Sequence, residues 1–409
     1  MKWPSLTFEQ IRLRVLEALE KNKSFREHAP LGIPGTFLDQ QIFPHHPFLE
    51  QAPFLKTLVE NPNHIGCHTF GDSERFFEGT QELEREVIKI CAEQIMKGES
   101  YDGHVCSGGT EGNIQGVWMG RNYFQERYGV QASEIALIYT ADAHYSASKA
   151  VNLLGLHPLL IEVDRESREL SLEHLASSIE QAQERGIEHF IVFLTMGTTM
   201  FGSVDDVEAV IKILKLKKAN FRVHIDAAFG GFIYPFTMPD QKMNFELPEI
   251  QSIVLDAHKM LQAPYGTGIF LCRKGGLNSI IASDASYVSG LDSTLCGSRS
   301  GANAIAIWMI LNIYGGQGGI AFCQQLVAKS LWFCQQLEAR GIRYFHQEGM
   351  NIITLYAEDI DREVALKFDL VPKCHGDRNK WWKVVVMEHV SKERLEAFLS
   401  QISALSPRI

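Results

Sequence analysis

Three short segments of this chain hold residue types that do chemistry together. In Cys106-Ser107-Gly108-Gly109-Thr110-Glu111-Gly112-Asn113, small residues let the backbone approach an anion, and a helix starting near Glu111 directs free N–H groups at it. His224-Ile225-Asp226-Ala227-Ala228 ends an apolar strand; an acid there can hold a buried cation, and Ala228 leaves space for a flat ring. Asp256-Ala257-His258-Lys259 follows the apolar run Ser252–Leu255. A lysine that ends a buried strand is poorly solvated, which lowers its pKa and makes the amine nucleophilic. Each segment also has an ordinary reading by itself: a tight turn, a helix N-cap, a surface lysine.

Their order along one chain is far more specific than any one of them. An anion cradle, an acid and an amine are what pyridoxal phosphate asks of a protein: N–H donors for the phosphate, a carboxylate for the pyridinium nitrogen, an amine for the aldehyde.

The elements that must position these groups are legible as apolar runs alternating with helical stretches from about residue 100 to 275. Ile135–Tyr139, Leu159–Val163, Phe190–Thr195, Phe221–Ile225, Ile253–Leu255 and Ile269–Cys272 are short and lack polar alternation. Such runs suit strands buried on both faces, hence a mostly parallel sheet flanked by helices. In open sheets of this kind ligands bind beyond the carboxyl ends of the strands, where the polar segments lie. Residues 6–21 and 82–96 read as amphipathic helices, and five prolines between 30 and 53 mark extended chain. Residues 300–340 look helical, and 350–409 read strand, helix, strand (Trp382–Met387), helix. The expected organisation is an N-terminal helix and extended arm (1–75), a large α/β domain (76–300), and a linking helix with a small α+β domain (301–409).

Composition narrows the function classes. The 409 residues include 39 Lys+Arg against 49 Asp+Glu, a net charge of −10, which argues against a general nucleic-acid binder. Hydrophobic residues make up 45% and charged ones 22%, an ordinary globular balance rather than a disordered one. The eight cysteines form no CxxC and repeat no spacing, so neither a zinc ribbon nor a disulfide framework is expected; Cys374-His375 alone is too little for a metal site, and reduced thiols suit the cytoplasm. Charges at Glu9, Arg12, Arg14, Glu17 and Glu20 exclude a signal-peptide core. Ser300–Ala328 carries no charge, but Asn303, Asn312 and the run Gly315-Gly316-Gln317-Gly318-Gly319 interrupt it, which favours a buried core helix over a membrane span.

Over roughly residues 80–400 the sequence resembles the group II pyridoxal-phosphate-dependent amino-acid decarboxylases, of the fold-type-I (aspartate aminotransferase-like) superfamily. Within that family it is most similar to bacterial histidine decarboxylases, plant serine decarboxylases and archaeal tyrosine/aspartate decarboxylases. The resemblance implies phosphate contacts at Gly109 and Thr110, and a ring-stacking His144 in Asp142-Ala143-His144-Tyr145-Ser146. It implies Thr199, in Gly197-Thr198-Thr199, near the coenzyme's 3-oxygen; Asp226 on the ring nitrogen; Ala228 under the ring; and His258-Lys259 as the His-Lys pair, with Lys259 the amine that bonds the coenzyme. Arg299, in Gly297-Ser298-Arg299-Ser300-Gly301, binds the substrate carboxylate or braces the site, and Tyr287 lies where the family carries a proton-donating loop tyrosine. It further implies a homodimer with shared active sites, in which His64, His68 and Phe70 are candidates for the side-chain pocket. Decarboxylation of an L-amino acid, with histidine the leading substrate, is the expected activity. An aminotransferase, a carbon–carbon lyase (sphingosine-phosphate lyases share the SGGTE, DAA and HK segments) and a non-catalytic coenzyme binder are the alternatives. A nucleotide-binding protein is disfavoured because the loop lacks the Gly-Lys-Ser/Thr of a P-loop.

Overall fold

The apolar runs fold into seven strands: β1 (Tyr101–Cys106), β2 (Ile135–Thr140), β3 (His157–Ile161), β4 (His189–Thr195), β5 (Asn220–Ala227), β6 (Ile250–Asp256) and β7 (Gly268–Arg273). The computed structural model describes residues 1–23, 57, 68–282, 290–372 and 380–402. The strands lie in the order β1-β7-β6-β5-β4-β2-β3. From β3 to β6 every neighbouring pair is parallel, while β7 runs antiparallel to both β6 and β1. The central strands read as continuous apolar runs because helices cover both faces. β1 escapes that reading: it carries Asp102, Gly103 and His104, and its first two residues at the sheet edge are half-exposed.

The antiparallel β7 has a consequence for the chemistry. A parallel successor to β6 requires a long crossover, whereas an antiparallel one requires only a turn. Residues 257–267 make that turn, closed by Ala257 N–H donating to the Thr267 carbonyl (2.9 Å) and Ala263 N–H to the Ala257 carbonyl (3.0 Å). Lys259 therefore stays at the carboxyl edge of the sheet.

Among the helices, α1 (Phe8–Lys21) packs on α2 (Glu78–Lys89), which continues as a wider π-turn to Ile95. α3 (Gly109–Tyr128) crosses the sheet, followed by α4 (Ser146–Leu154), α5 (Leu172–Glu184) and α6 (Val207–Leu216). Glycines let α3 lie close: a Cβ at Gly112 would stand 2.3 Å from Val254 Cγ2, and one at Gly116 2.2 Å from His224 Nδ1.

α7 (Gly301–Glu338) is long and apolar enough, by length and composition, to cross a membrane. Its Ala304, Ile305, Ile307, Trp308 and Leu311 are buried in the main core. The glycine run is a break in it: Gly315 has φ 62° and ψ −178°. The N-terminus crosses there, with Leu6 N–H donating to the Asn312 carbonyl (2.7 Å) and Gly316 N–H to the Trp3 carbonyl (3.1 Å). Beyond it, an antiparallel sheet of β8 (Tyr344–His346), β9 (Ile352–Tyr356) and β10 (Trp381–Val385), with α8 (Arg362–Lys367) and α9 (Lys392–Leu399), encloses a second core around Phe333, Leu355, Trp382 and Phe398.

Candidate active site

The three chemistry-bearing segments meet in one cavity of about 440 Å³ at the carboxyl ends of the strands, lined by Gly109, Thr110, His144, Asp226, His258 and Lys259 among others. Thr199 and Ala228 line it as well. Asp226 is the penultimate residue of β5 and is 4% exposed. Its Oδ1 accepts from Ala228 N–H (3.1 Å) and its Oδ2 from Asn113 Nδ2 (2.9 Å). Burial pushes this carboxyl above the usual carboxylate range, and the positive charge of Lys259 pulls the other way. It is an acid in want of a cation.

Lys259 Nζ lies 3.0 Å from Asp256 Oδ2. Asp256, at the end of β6, is buried with its Oδ1 unpartnered among the described residues. His258 stacks on Tyr265 at 4.8 Å between ring centroids, and its buried Nδ1 is likewise unpartnered. The wall by the start of α3 is made of backbone: a Cβ at Gly109 would lie 2.9 Å from Ala228 Cβ and 3.0 Å from Asp256 Oδ2. The N–H groups of a helix's first turn have no partner within the helix, so Gly109 and Thr110 offer donors to an anion here. Ser107 N–H and Oγ both donate to Glu111 Oε2 (2.8 and 2.6 Å), which fixes the loop before the helix.

His144 reaches the cavity from the β2–α4 connection. Its Nδ1 accepts from Ser146 N–H (3.2 Å), and its ring lies 3.9 Å from that of Tyr145. Burial lowers its pKa, with the charge of Asp226 opposing. Thr199 is exposed at the rim. Its carbonyl accepts from Lys383 Nζ (2.9 Å), a lysine of β10 whose pKa is lowered by burial and by the charge of Lys259.

Of the two roles expected of Arg299, substrate carboxylate or brace, its contacts fit the brace. Arg299 does not line the cavity: its guanidinium is buried against the carboxylate of Glu84 and donates to the Val105 carbonyl (3.1 Å). It braces α2, β1 and the start of α7. His68 and Phe70 line a neighbouring cavity of about 330 Å³, beside Asp102 and His104. Tyr287, His64 and the Cys374-His375 pair lie outside the described residues. The sequence reading missed Asn113, Ser146, His224 and Ser252 as a group. A signal for His224 was present: it stands two residues before Asp226, so strand alternation puts both on one face of β5.

Residues 81–347 match the pyridoxal-dependent decarboxylase conserved domain. The chain belongs to that family. A tryptophan decarboxylase of Clostridium sporogenes is 42% identical over 97% of this chain and 96% of its own length. A histidine decarboxylase of Morganella morganii is 31% identical over 62% and 64% of the two chains. Among solved structures, L-methionine decarboxylase from Streptomyces sp.590 superposes with TM-score 0.71 at 20% identity, over 97% of this chain and 96% of that one. A sphingosine-1-phosphate lyase of Burkholderia pseudomallei gives 0.71 at 17%, over 98% and 91%. The fold is thus that of the fold-type-I pyridoxal-phosphate enzymes, and the chain is a pyridoxal-phosphate-dependent carboxy-lyase acting on an amino acid. The residues fit the coenzyme: a backbone-walled cradle, an uncompensated buried acid and a lysine converge on one cavity.

Proposed function

We propose that this pyridoxal-dependent decarboxylase converts an aromatic L-amino acid, with tryptophan first, to its primary amine and CO2. The observation that carries the reading is the 42% identity to a tryptophan decarboxylase across nearly the whole of both chains. Likeness to histidine decarboxylases is lower and spans 62% of this chain, so histidine stands second. Tyr145, Phe229 and Tyr265 on the cavity wall support an aromatic substrate, since aromatic rings favour offset-stacked or edge contacts.

The coenzyme, when bound, supplies an electron-accepting ring for the bond that loses CO2. The protein's part follows from charge and position. Asp226 sets a negative charge in a dry wall and holds the ring nitrogen's proton there. Gly109, Thr110 and His258 would hold the phosphate, Ala228 and His144 would confine the ring, and Thr199 would be the residue for the 3-oxygen. Lys259 supplies the amine, with Asp256 beside it to keep the Nζ in place. With Arg299 committed to Glu84, the next cation for the substrate carboxylate is Lys383, which lies outside the cavity lining and meets its rim through the Thr199 carbonyl. Tyr287 keeps its proposed role as proton donor. A homodimer that closes the site is supported by the exposure of Tyr265 (90%) and Leu291 (62%). The free thiols of the described cysteines suit the cytoplasm.

The test is CO2 release from each of the twenty amino acids, run beside Lys259→Ala. Tryptophan is expected to turn over fastest, and Lys259→Ala to cut the rate by at least about 10³-fold. A keto acid or an aldehyde in place of the amine would overturn decarboxylation, and fastest turnover of a non-aromatic amino acid would overturn the substrate.

A further inference from the structure

We propose that Ser252, His224, Asn113 and Ser146 form a one-way hydrogen-bond relay beneath the cavity, which holds Asp226 in one plane and His144 in one tautomer. These are positioning residues that act through Asp226 and His144. The proposal rests on the reading that Asp226 faces the coenzyme's ring nitrogen.

A single backbone group sets the direction. Ser146 N–H can only donate, so His144 Nδ1, 3.2 Å away, is an acceptor. Ser146 Oγ, 2.9 Å from the same nitrogen, must give its one hydrogen there. It is then left to accept, and Asn113 Nδ2 donates to it at 2.9 Å. The second Nδ2 hydrogen goes to Asp226 Oδ2, also at 2.9 Å. Asn113 Oδ1 therefore faces His224 Nε2 (2.8 Å), which must carry a proton, and His224 Nδ1 accepts from Ser252 Oγ (2.8 Å). The order runs Ser252 to His224 to Asn113, and from there to Asp226 on one branch and through Ser146 to His144 on the other.

The surroundings keep this order from reversing. Asn113, Ser146, His224, Ser252 and Asp226 are each 4% exposed or less, so no water competes, and leaving one of these groups unpaired is costly. Gly116 lets α3 press on the His224 ring, since a Cβ there would stand 2.2 Å from Nδ1. Burial holds His224 neutral, its pKa pushed down to about 3. One consequence reaches the chemistry: neutral His144 carries its proton on Nε2 and leaves Nδ1 as a permanent acceptor.

Nitrogen-15 NMR of histidine-labelled, coenzyme-free protein tests the relay in the wild-type chain, variants serving only for assignment. His144 and His224, assigned by His144→Asn and His224→Asn, are both expected as neutral Nε2–H tautomers, and His224 is expected to stay neutral at pH 5. An Nδ1–H tautomer at either ring overturns the proposal. In Asn113→Ala, folding being checked by near-UV circular dichroism, His224 loses the acceptor at its Nε2 and is expected to show both tautomers, whereas in Ser146→Ala the backbone N–H still donates to Nδ1 and His144 is expected to stay Nε2–H. A His224 that keeps one tautomer in Asn113→Ala overturns the relay. In Asn113→Ala, coenzyme affinity is expected to fall about tenfold or more, the scale of a lost hydrogen bond to a charged group, and the pH at which the bound coenzyme's visible absorption changes is expected to move. If that pH moves in Asp226→Asn but not in Asn113→Ala, the relay falls and the Asp226 reading stands. If it moves in neither, the reading itself falls and takes the relay's purpose with it.

Discussion

Asp226 and Glu84 are both carboxylates shut away from water, yet the protein answers them in opposite ways. Glu84 has its counter-charge built in: Arg299 lies against it, the side chains are 5% and 0% exposed, and Val105 N–H adds a third contact at 2.7 Å. Asp226 is given only neutral hydrogen-bond donors, Asn113 and the Ala228 amide, plus the more distant charge of Lys259. A charge neutralised from within is a brace; a charge left to neutral donors beside a cavity is waiting for a cationic ligand. This is why Arg299, by sequence either a carboxylate binder or a brace, sits as a brace, and why the acid on the central strand β5 is the one left open to a ligand.

The largest expected effect breaks the comparison on the Asp226 side. Asp226→Asn keeps the shape and removes the charge. Its decarboxylation rate is expected to fall on the order of 10²–10³-fold, the scale of losing one electrostatic partner in a dry site. Thermal stability of the coenzyme-free protein at neutral pH should not fall and is expected to rise slightly, because a carboxyl held above its ordinary pKa costs stability when ionised. Glu84→Gln is the mirror image. It strands the Arg299 guanidinium in the core and is expected to cost about 3–5 kcal/mol in chemical denaturation, while molecules that remain folded keep the parent KM. Replacing both partners by apolar residues should recover most of that loss. A Glu84→Gln protein of full stability and low activity would dissolve the distinction.

How far the sequence reveals this contrast depends on how local each partner is. The central strands are legible because burial on both faces leaves apolar runs, as in Phe190–Thr195 within β4. β1 is hidden by Asp102, Gly103 and His104, which an edge position tolerates. Lys259, Asp226 and Gly109 are legible because a short motif surrounds each. Glu84 is not, since it lies 215 positions from Arg299 and no local pattern joins them. Asn113 and Ser146 sit inside legible motifs, but their partnership with His224 exists only once α3 lies across β5, which the small residues at 112 and 116 permit without announcing.

Asp205 sharpens the comparison from a third direction. It is buried and held by Thr195 N–H (2.8 Å) and Leu170 N–H (2.9 Å), with no ion pair among the described residues, and burial raises its pKa to about 6. Because the folded value exceeds the ordinary value of 3.8, the folded state binds the proton more tightly. This group's stabilising contribution is full below the unfolded pKa, declines as pH rises towards the folded one, and is absent above it. Between pH 4 and pH 7 the wild type should therefore lose roughly 2 kcal/mol more than Asp205→Asn, in denaturant melts run at each pH. Unlike Asp226 it does not line the coenzyme cavity, so turnover per folded molecule should change little.

Asp142 gives the smallest effect and the strictest test, because it stands two residues from His144 and is still predicted to be structural. Arg168 pairs with it at 2.5 Å, both side chains are about 15% exposed (16% and 15%), and the arginine also lies over the Phe201 ring at 4.1 Å. Burial raises its pKa and Arg168 opposes the rise, so the counter-charge is supplied from within, as at Glu84 but nearer to solvent. A partly exposed pair of this kind is worth about 1 kcal/mol. Asp142→Asn should cost about that much stability and change kcat/KM by less than roughly threefold. A loss approaching that of Asp226→Asn would mean that proximity to His144, rather than the source of the counter-charge, decides which acids of this protein take part in its chemistry.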